Sequence, residues 1–281
     1  MMRSQAAPSL ADLIPPSPKP RVMPRSSPRI LLIQARTADD PMARHELEAF
    51  ATQCDLSVEA FATFNIATTP ADTFPREGYD AVMVGGAGAF SLVEGGFDWH
   101  QDFLDLTRQV IEARVPMFAS CFGFQAIVQA LGGTLERDPA RAELGTFPIT
   151  LTEEGHNDPL FGELPEVFDA QLGHNDSAIA LPDELVHLAA SERCVYQAVR
   201  VRGRPVIATQ FHPELGREGN LDRFRNYLNN YKPEGQTFEE AMAYAERIHR
   251  PSPHACGLLK AFVADVSLHI EGRRALKTSD R

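Results

Sequence analysis

The chain has 281 residues, with 38 acidic against 27 basic side chains and a formal net charge of −11. Phosphate repels a surface of that sign, which argues against nucleic acid and membrane as principal partners, and no segment nears the roughly 18 apolar residues of a membrane span. The length suits one large α/β domain or two small ones, and four widely spaced cysteines without zinc spacing point to a reducing, cytoplasmic compartment rather than a disulfide framework.

In chain order, residues 1–28 combine repeated proline with serine and arginine, bury too little apolar surface to offset ordering, and read as a flexible tail. RILLIQA, from Arg29, suits a strand buried on both faces. DDPMARHELEAFATQ predicts a helix with Asp39 or Asp40 near its cap and Pro41 early, and LSVEAF a second strand. YDAVMVGGAGAF is a third apolar strand running into glycines, followed by the amphipathic helix DWHQDFLDLTRQVIEAR. VPMFASC is the next buried strand, and GFQAIVQALGG a helix closed by Gly132 and Gly133. This alternation implies an α/β fold with a doubly wound, mostly parallel sheet flanked by helices, whose ligands collect beyond the carboxyl ends of the strands.

The second half is less regular. LGTFPITL and EVFDAQLGH read as strands, and CVYQAVRV and PVIATQFH, joined by Arg202-Gly203-Arg204, as a hairpin. Three helical stretches follow residue 216. The organisation expected is a tail (1–28), one α/β domain (29–230) and a C-terminal helical extension (231–281).

Two strand ends carry the chemistry, GGAG at residues 85–88 and Cys121. A free cysteine is by type a small core residue, and Cys54, Cys194 and Cys256 are read that way. Cys121 differs in its neighbours. A nucleophile on a tight strand-to-helix turn needs small residues two before and two after it, here Ala119 and Gly123. The helix N-terminus there favours thiolate over thiol. A proton carrier is offered by TQFHPEL, in which Pro213 restricts His212 to extended conformations, so that His212 and Glu214 point to one side. A carboxylate beside imidazole fixes its tautomer and steadies the imidazolium. Taken alone, His-Pro-Glu reads as a solvated turn sooner than as part of a catalytic group.

Together these features resemble the class I glutamine amidotransferases, whose pattern is Gly-x-Cys-x-Gly-x-Gln followed by a late His-Pro-Glu. The resemblance spans residues 29–230. It implies that Cys121 is the nucleophile, His212 the general acid and base, and Glu214 its orienting partner. It further implies an oxyanion hole from the backbone N–H groups of Phe122 and Gly86, with Gln125 lining a glutamyl pocket or serving as a polar helix cap. LGHNDSAIALPDEL resembles a His-x-Asp stretch of GMP-synthase-type glutaminase domains, which would bring His174 and Asp176 to substrate or to a partner domain; a surface turn is the alternative. His156 and His187 are read as surface residues.

The substrate so implied is glutamine or another γ-glutamyl compound, turned over with no metal and no organic cofactor. Two departures from the pattern stand out, Ala119 for the usual glycine and Phe124 for a common histidine, the latter making the pocket mouth more apolar. Neither an SGGxDS-like loop nor GxxxxGK[ST] occurs, which suggests a stand-alone glutaminase and leaves room for a separate synthetase subunit. A γ-glutamyl peptidase and a non-catalytic binding module on the same fold are the alternatives, and the oligomeric state is left open.

Overall fold

The computed structural model describes residues 27–228 and 237–279, with side chains as far as residue 271. All but the last two residues of the expected tail, and residues 231–236 at the start of the expected extension, lie outside the described residues.

The first half alternates as its apolar pattern requires: β1 (Ile30–Ala35), α1 (Met42–Gln53), β2 (Phe61–Asn65), β3 (Ala81–Ala87), α2 (His100–Glu112), β4 (Met117–Ser120) and α3 (Phe122–Ala130). β1 is buried along its whole length and its side chains divide between two layers. Leu31 and Ile33 pack with Phe103 of α2 and Ile127 of α3, whereas Ile30 and Leu32 pack with Phe50 of α1. That two-sided burial is why the strand reads as a continuous apolar run rather than an alternating one. LSVEAF is only partly a strand: Val58–Ala60 form a short 3-10 turn and the ladder begins at Phe61. β2 is the sheet edge, with two of its five side chains exposed, so its apolar alternation is weak and the boundary shifts by several residues.

Next come β5 (Thr134–Arg137), β6 (Glu143–Leu151), the short α4 (Glu153–Asn157), β7 (Val167–His174), β8 (Asp176–Ala180), β9 (Leu185–Ala190), β10 (Ala198–Val201) and β11 (Val206–Thr209). The expected hairpin is present, with β10 antiparallel to β11 and Gly203 at φ +66° in its turn. The main sheet runs β2-β1-β3-β4-β11-β10-β9-β6-β7. Its first five strands are mutually parallel and the remainder antiparallel. β5 and β8 form a separate two-stranded ribbon that places Arg137 opposite Asp176.

Helices α5 (Arg217–Asn226), α6 (Phe238–Ile248) and α7 (Pro253–Ser279) complete the described chain. α6 starts with a reciprocal cap, Thr237 Oγ1 accepting from Glu240 N at 3.2 Å and Glu240 Oε2 accepting from Thr237 N at 2.9 Å. α7 belongs to the core: Leu258, Leu259 and Phe262 are buried against Phe118 of β4 and the antiparallel strands. Phe262 meets Phe118 edge-on at 5.6 Å between ring centroids. Among the described residues no helix is long and apolar enough to cross a membrane.

Because α7 covers the middle of the sheet, Phe262→Ala is expected to destabilise the whole fold by about 3–5 kcal/mol. Urea unfolding followed by circular dichroism measures this, with one transition moving to lower denaturant rather than a separate early loss of helix.

Candidate active site

β4 ends at Ser120 and α3 begins at Phe122, so one residue must reverse the chain. That residue is Cys121, held at φ 50° and ψ −100°, a conformation non-glycine residues rarely adopt. Two backbone bonds secure it: Cys121 N–H donates to Thr209 O at 2.7 Å, and Gln125 N–H donates to Cys121 O at 3.0 Å. Gly123 is required by space, since a Cβ there would lie 2.8 Å from Val84 and 3.0 Å from the Ala119 methyl. The small residues on either side of Cys121 thus let the elbow press against β3.

β11 lies directly beside β4, with Ser120 opposite Thr209, and the chain beyond it carries His212 and Glu214. His212 is fully buried, and its Nδ1 lies 2.6 Å from Glu214 Oε1. Arg223 of α5 completes the group, its Nη1 lying 2.7 Å from His212 Nε2 and 3.1 Å from Nδ1. Gly86, on β3, borders both: a Cβ there would lie 2.9 Å from His212 Cε1 and 3.0 Å from Arg223 Nη2. Behind this wall Arg36 is held by Glu46 at 2.7 Å and donates to Tyr227 Oη at 2.6 Å.

Burial pushes the Cys121 thiol up, but the charge and hydrogen bond of His212, followed by the charges of Arg223 and His174, outweigh it and bring it down to about 7. His212 is raised above its ordinary value: burial and Arg223 pull it down, and the charges of Glu214 and Cys121 prevail. Glu214 is lowered despite its burial, through the charge and hydrogen bond of His212. By contrast burial drives Cys54 up to about 12, with the Glu214 charge adding to it, and burial drives Cys194 up to about 11. Those two thiols are buried as expected, whereas Cys256 is only partly so. His156 is exposed, and His187 is half-buried with Nε2 at 2.9 Å from Ala189 O.

Cys121, Phe122, Gln125, His174 and Asp176 line one polar cleft of about 190 Å³, together with residues 87–91, Glu94 and Arg137. A larger, shallower hollow of about 640 Å³ reaches Glu214 from behind but touches neither Cys121 nor His212, so thiol chemistry belongs to the smaller cleft. Gln125 lines the cleft and braces it, its Nε2 donating to Asp176 O at 2.9 Å and Gln210 Oε1 at 3.2 Å. His174 is buried, with Nδ1 3.0 Å from Asp176 O and Nε2 3.1 Å from Glu143 Oε2. Asp176 Oδ2 accepts from Ser91 Oγ at 2.5 Å, and its Oδ1 lies 3.5 Å from Arg137. Within the stretch read alternatively as a surface turn, His174 and Asp176 are buried in the wall of the cleft, whereas residues 179–180 and 183–184 are exposed.

Sequence reasoning missed Arg223 and Gln210, whose Nε2 lies 3.7 Å from Cys121 Sγ. Gln210 stands two residues before His212, where the extended alternation already used for Glu214 would have placed it on the same side. Arg223 carries no such signal. Glu143, His174 and Cys194 bring three ligand-type atoms within 4.8 Å of one another among the described residues. Glu143 there also accepts from Ser191 Oγ at 2.8 Å and Gln197 Nε2 at 2.6 Å, so hydrogen bonds already engage its carboxylate.

Comparison with known proteins finds the chain similar to glutamine amidotransferases. A family model described as glutamine amidotransferase class-I matches residues 47–224. The GMP synthase [glutamine-hydrolyzing] of Thermosipho africanus is 33% identical over 106 residues, covering 38% of this chain and 20% of that protein. That of Aliivibrio salmonicida is 30% identical over 124 residues, covering 44% and 23%. The chain thus matches about a quarter or less of the length of these relatives. A glutamine amidotransferase structure from Thermotoga maritima shares the fold with a TM-score of 0.64 at 19% identity, covering 85% of this chain and 98% of that one. One from Methylobacillus flagellatus does so with a TM-score of 0.58 at 20% identity, covering 86% and 90%.

The lowered thiol makes a direct expectation. Cys121 passes from thiol to thiolate as pH rises through about 7, so its alkylation by iodoacetamide should show a midpoint there, while Cys54 and Cys194 stay unlabelled at neutral pH. Peptide mass mapping across a pH series checks both.

Proposed function

This chain belongs to the class I glutamine amidotransferase family, and on that premise we propose that it hydrolyses the γ-amide of glutamine through a thioester on Cys121, with His212 as proton carrier and Glu214 as its orienting carboxylate. The observation that carries this reading is the convergence of a lowered thiol on a strained turn with an imidazole whose far nitrogen rests 2.6 Å from a buried carboxylate.

The Cys121 thiolate attacks the γ-carbonyl carbon, and the oxygen that becomes negative is met by the backbone N–H groups of Phe122 and Gly86. Each such donor supplies about 3 kcal/mol in a water-poor site. Imidazolium at His212 gives its proton to the nitrogen, the C–N bond breaks and ammonia leaves, with the acyl group held as a thioester. Neutral His212 then takes a proton from water, the hydroxide attacks the thioester, and glutamate departs as the thiolate re-forms. Glu214 accepts the Nδ1–H throughout and keeps Nε2 free for these transfers. No step calls for a metal or organic cofactor.

Gln125, His174 and Asp176 shape the cleft that receives the glutamyl group. The kinship with parts of GMP synthases supports a second element of the proposal, a separate synthetase subunit that consumes the ammonia.

Purified protein incubated with glutamine should release ammonia and glutamate in equal amounts, and Cys121→Ala should lower the rate by at least about 10⁴-fold. Glu214→Gln should cost less, because a side-chain amide oxygen still accepts from Nδ1. Ammonia release that survives in Cys121→Ala would overturn the assignment, and cleavage of γ-glutamyl peptides without glutamine turnover would favour the peptidase reading.

A further inference from the structure

Arg223 brings a full charge into the centre of the site. It is only 5% exposed, and its Nη1 lies on the His212 ring while Nη2 lies against Gly86. Its Nε and Nη2 have no hydrogen-bond partner among the described residues, and no ion pair with a described carboxylate involves it. A guanidinium keeps its proton at any working pH, so this cation depends on negative charge nearby. The groups that face the site can be enumerated. The chain after β11 contributes His212 and Glu214, the elbow Cys121, the end of α5 Tyr227, and β7 His174, which is itself paired with Glu143. Of these groups, among the described residues, Glu214 and the Cys121 thiolate answer Arg223 with negative charge, and Glu214 Oε1 is already engaged by His212.

We infer that Arg223 is a positioning residue for the proton transfer: a fixed cation held over the His212 imidazole that serves as standing counter-charge to the Cys121 thiolate. The inference rests on reading Cys121 and His212 as nucleophile and base. With Nδ1–H given to Glu214, Nε2 holds the one lone pair of the neutral ring. That lone pair takes the proton of Cys121, while Nη1 of Arg223, 2.7 Å from Nε2 and 3.1 Å from Nδ1, lies over the ring and acts on it through its charge. A positive charge there favours loss of the proton from sulfur, and it makes the imidazolium a stronger acid toward the departing nitrogen. Both effects serve the acylation step, and neither needs Arg223 to touch substrate.

The test is the pH dependence of Cys121 alkylation by iodoacetamide, read on its own peptide by mass spectrometry, in the full chain and in Arg223→Gln and Arg223→Lys. Circular dichroism and thermal unfolding establish that each variant is folded. Arg223→Gln is expected to raise the midpoint by about one pH unit, Arg223→Lys to restore most of the shift, and the acid limb of kcat/KM for glutamine to move in the same direction. An unmoved midpoint in Arg223→Gln, or equal displacement in the glutamine and lysine variants, overturns the inference. Alkylation reads the thiol without turnover, so failure to hydrolyse glutamine, or hydrolysis that survives Cys121→Ala, counts against the proposed function and leaves this result separately legible.

Discussion

A non-glycine residue at φ 50° and ψ −100° costs on the order of 1–3 kcal/mol, and Cys121 holds that conformation because its surroundings admit no other. The N–H is fixed to Thr209 on the neighbouring strand, the carbonyl accepts from Gln125 in the helix, and Gly123 closes onto Val84. The turn sets Cys121 at the N-terminus of α3, between the end of β4 and the helix.

Burial by itself does not decide what a thiol is for. Cys54 and Cys194 are as deeply enclosed as Cys121, and their surroundings hold their protons more tightly. What separates Cys121 is the sign of the charge around it: two histidines and an arginine approach it, while Glu214 lies beyond the imidazole. In a medium of low polarizability such arrangements act strongly. In the second buried pair, Glu143 with His174, the carboxylate is also engaged by Ser191 and Gln197.

The parallel half of the sheet was legible because strands such as β1 are enclosed on both faces and write themselves as unbroken apolar runs. The edge strand β2 lacks that enclosure, and its start was misplaced by the β-branched Val58 in a tight turn. Strands β5, β8 and β9 escaped notice because they are short and polar residues interrupt their apolar runs, as in TLER and LVHLAA. Cys121, His212 and Glu214 were marked by local spacing, the small residues around Cys121 and the extended His-Pro-Glu triplet, and their roles came from the resemblance those segments carry together. Arg223 could not, because its place at the histidine depends on how α5 docks across the end of the sheet. His174 and Asp176 were visible only through resemblance, and their burial is a tertiary property of the ribbon meeting β6 and β7.

The pairing of β4 with β11 has a consequence for how such a protein changes over time. Ser120 faces Thr209 across one ladder step of about 4.8 Å, so the approach of thiol to imidazole is a matter of strand spacing and owes nothing to the length of the path between them. Beyond the elbow helix α3, residues 131–205 wander through the ribbon and four strands of wall before returning to that neighbouring position. Insertions, deletions and new side chains along that excursion can remodel what the cleft admits while the reacting pair is inherited unaltered. Substrate preference and bond-breaking chemistry therefore occupy separable stretches of the same chain, and the lineage is free to explore the first without putting the second at risk.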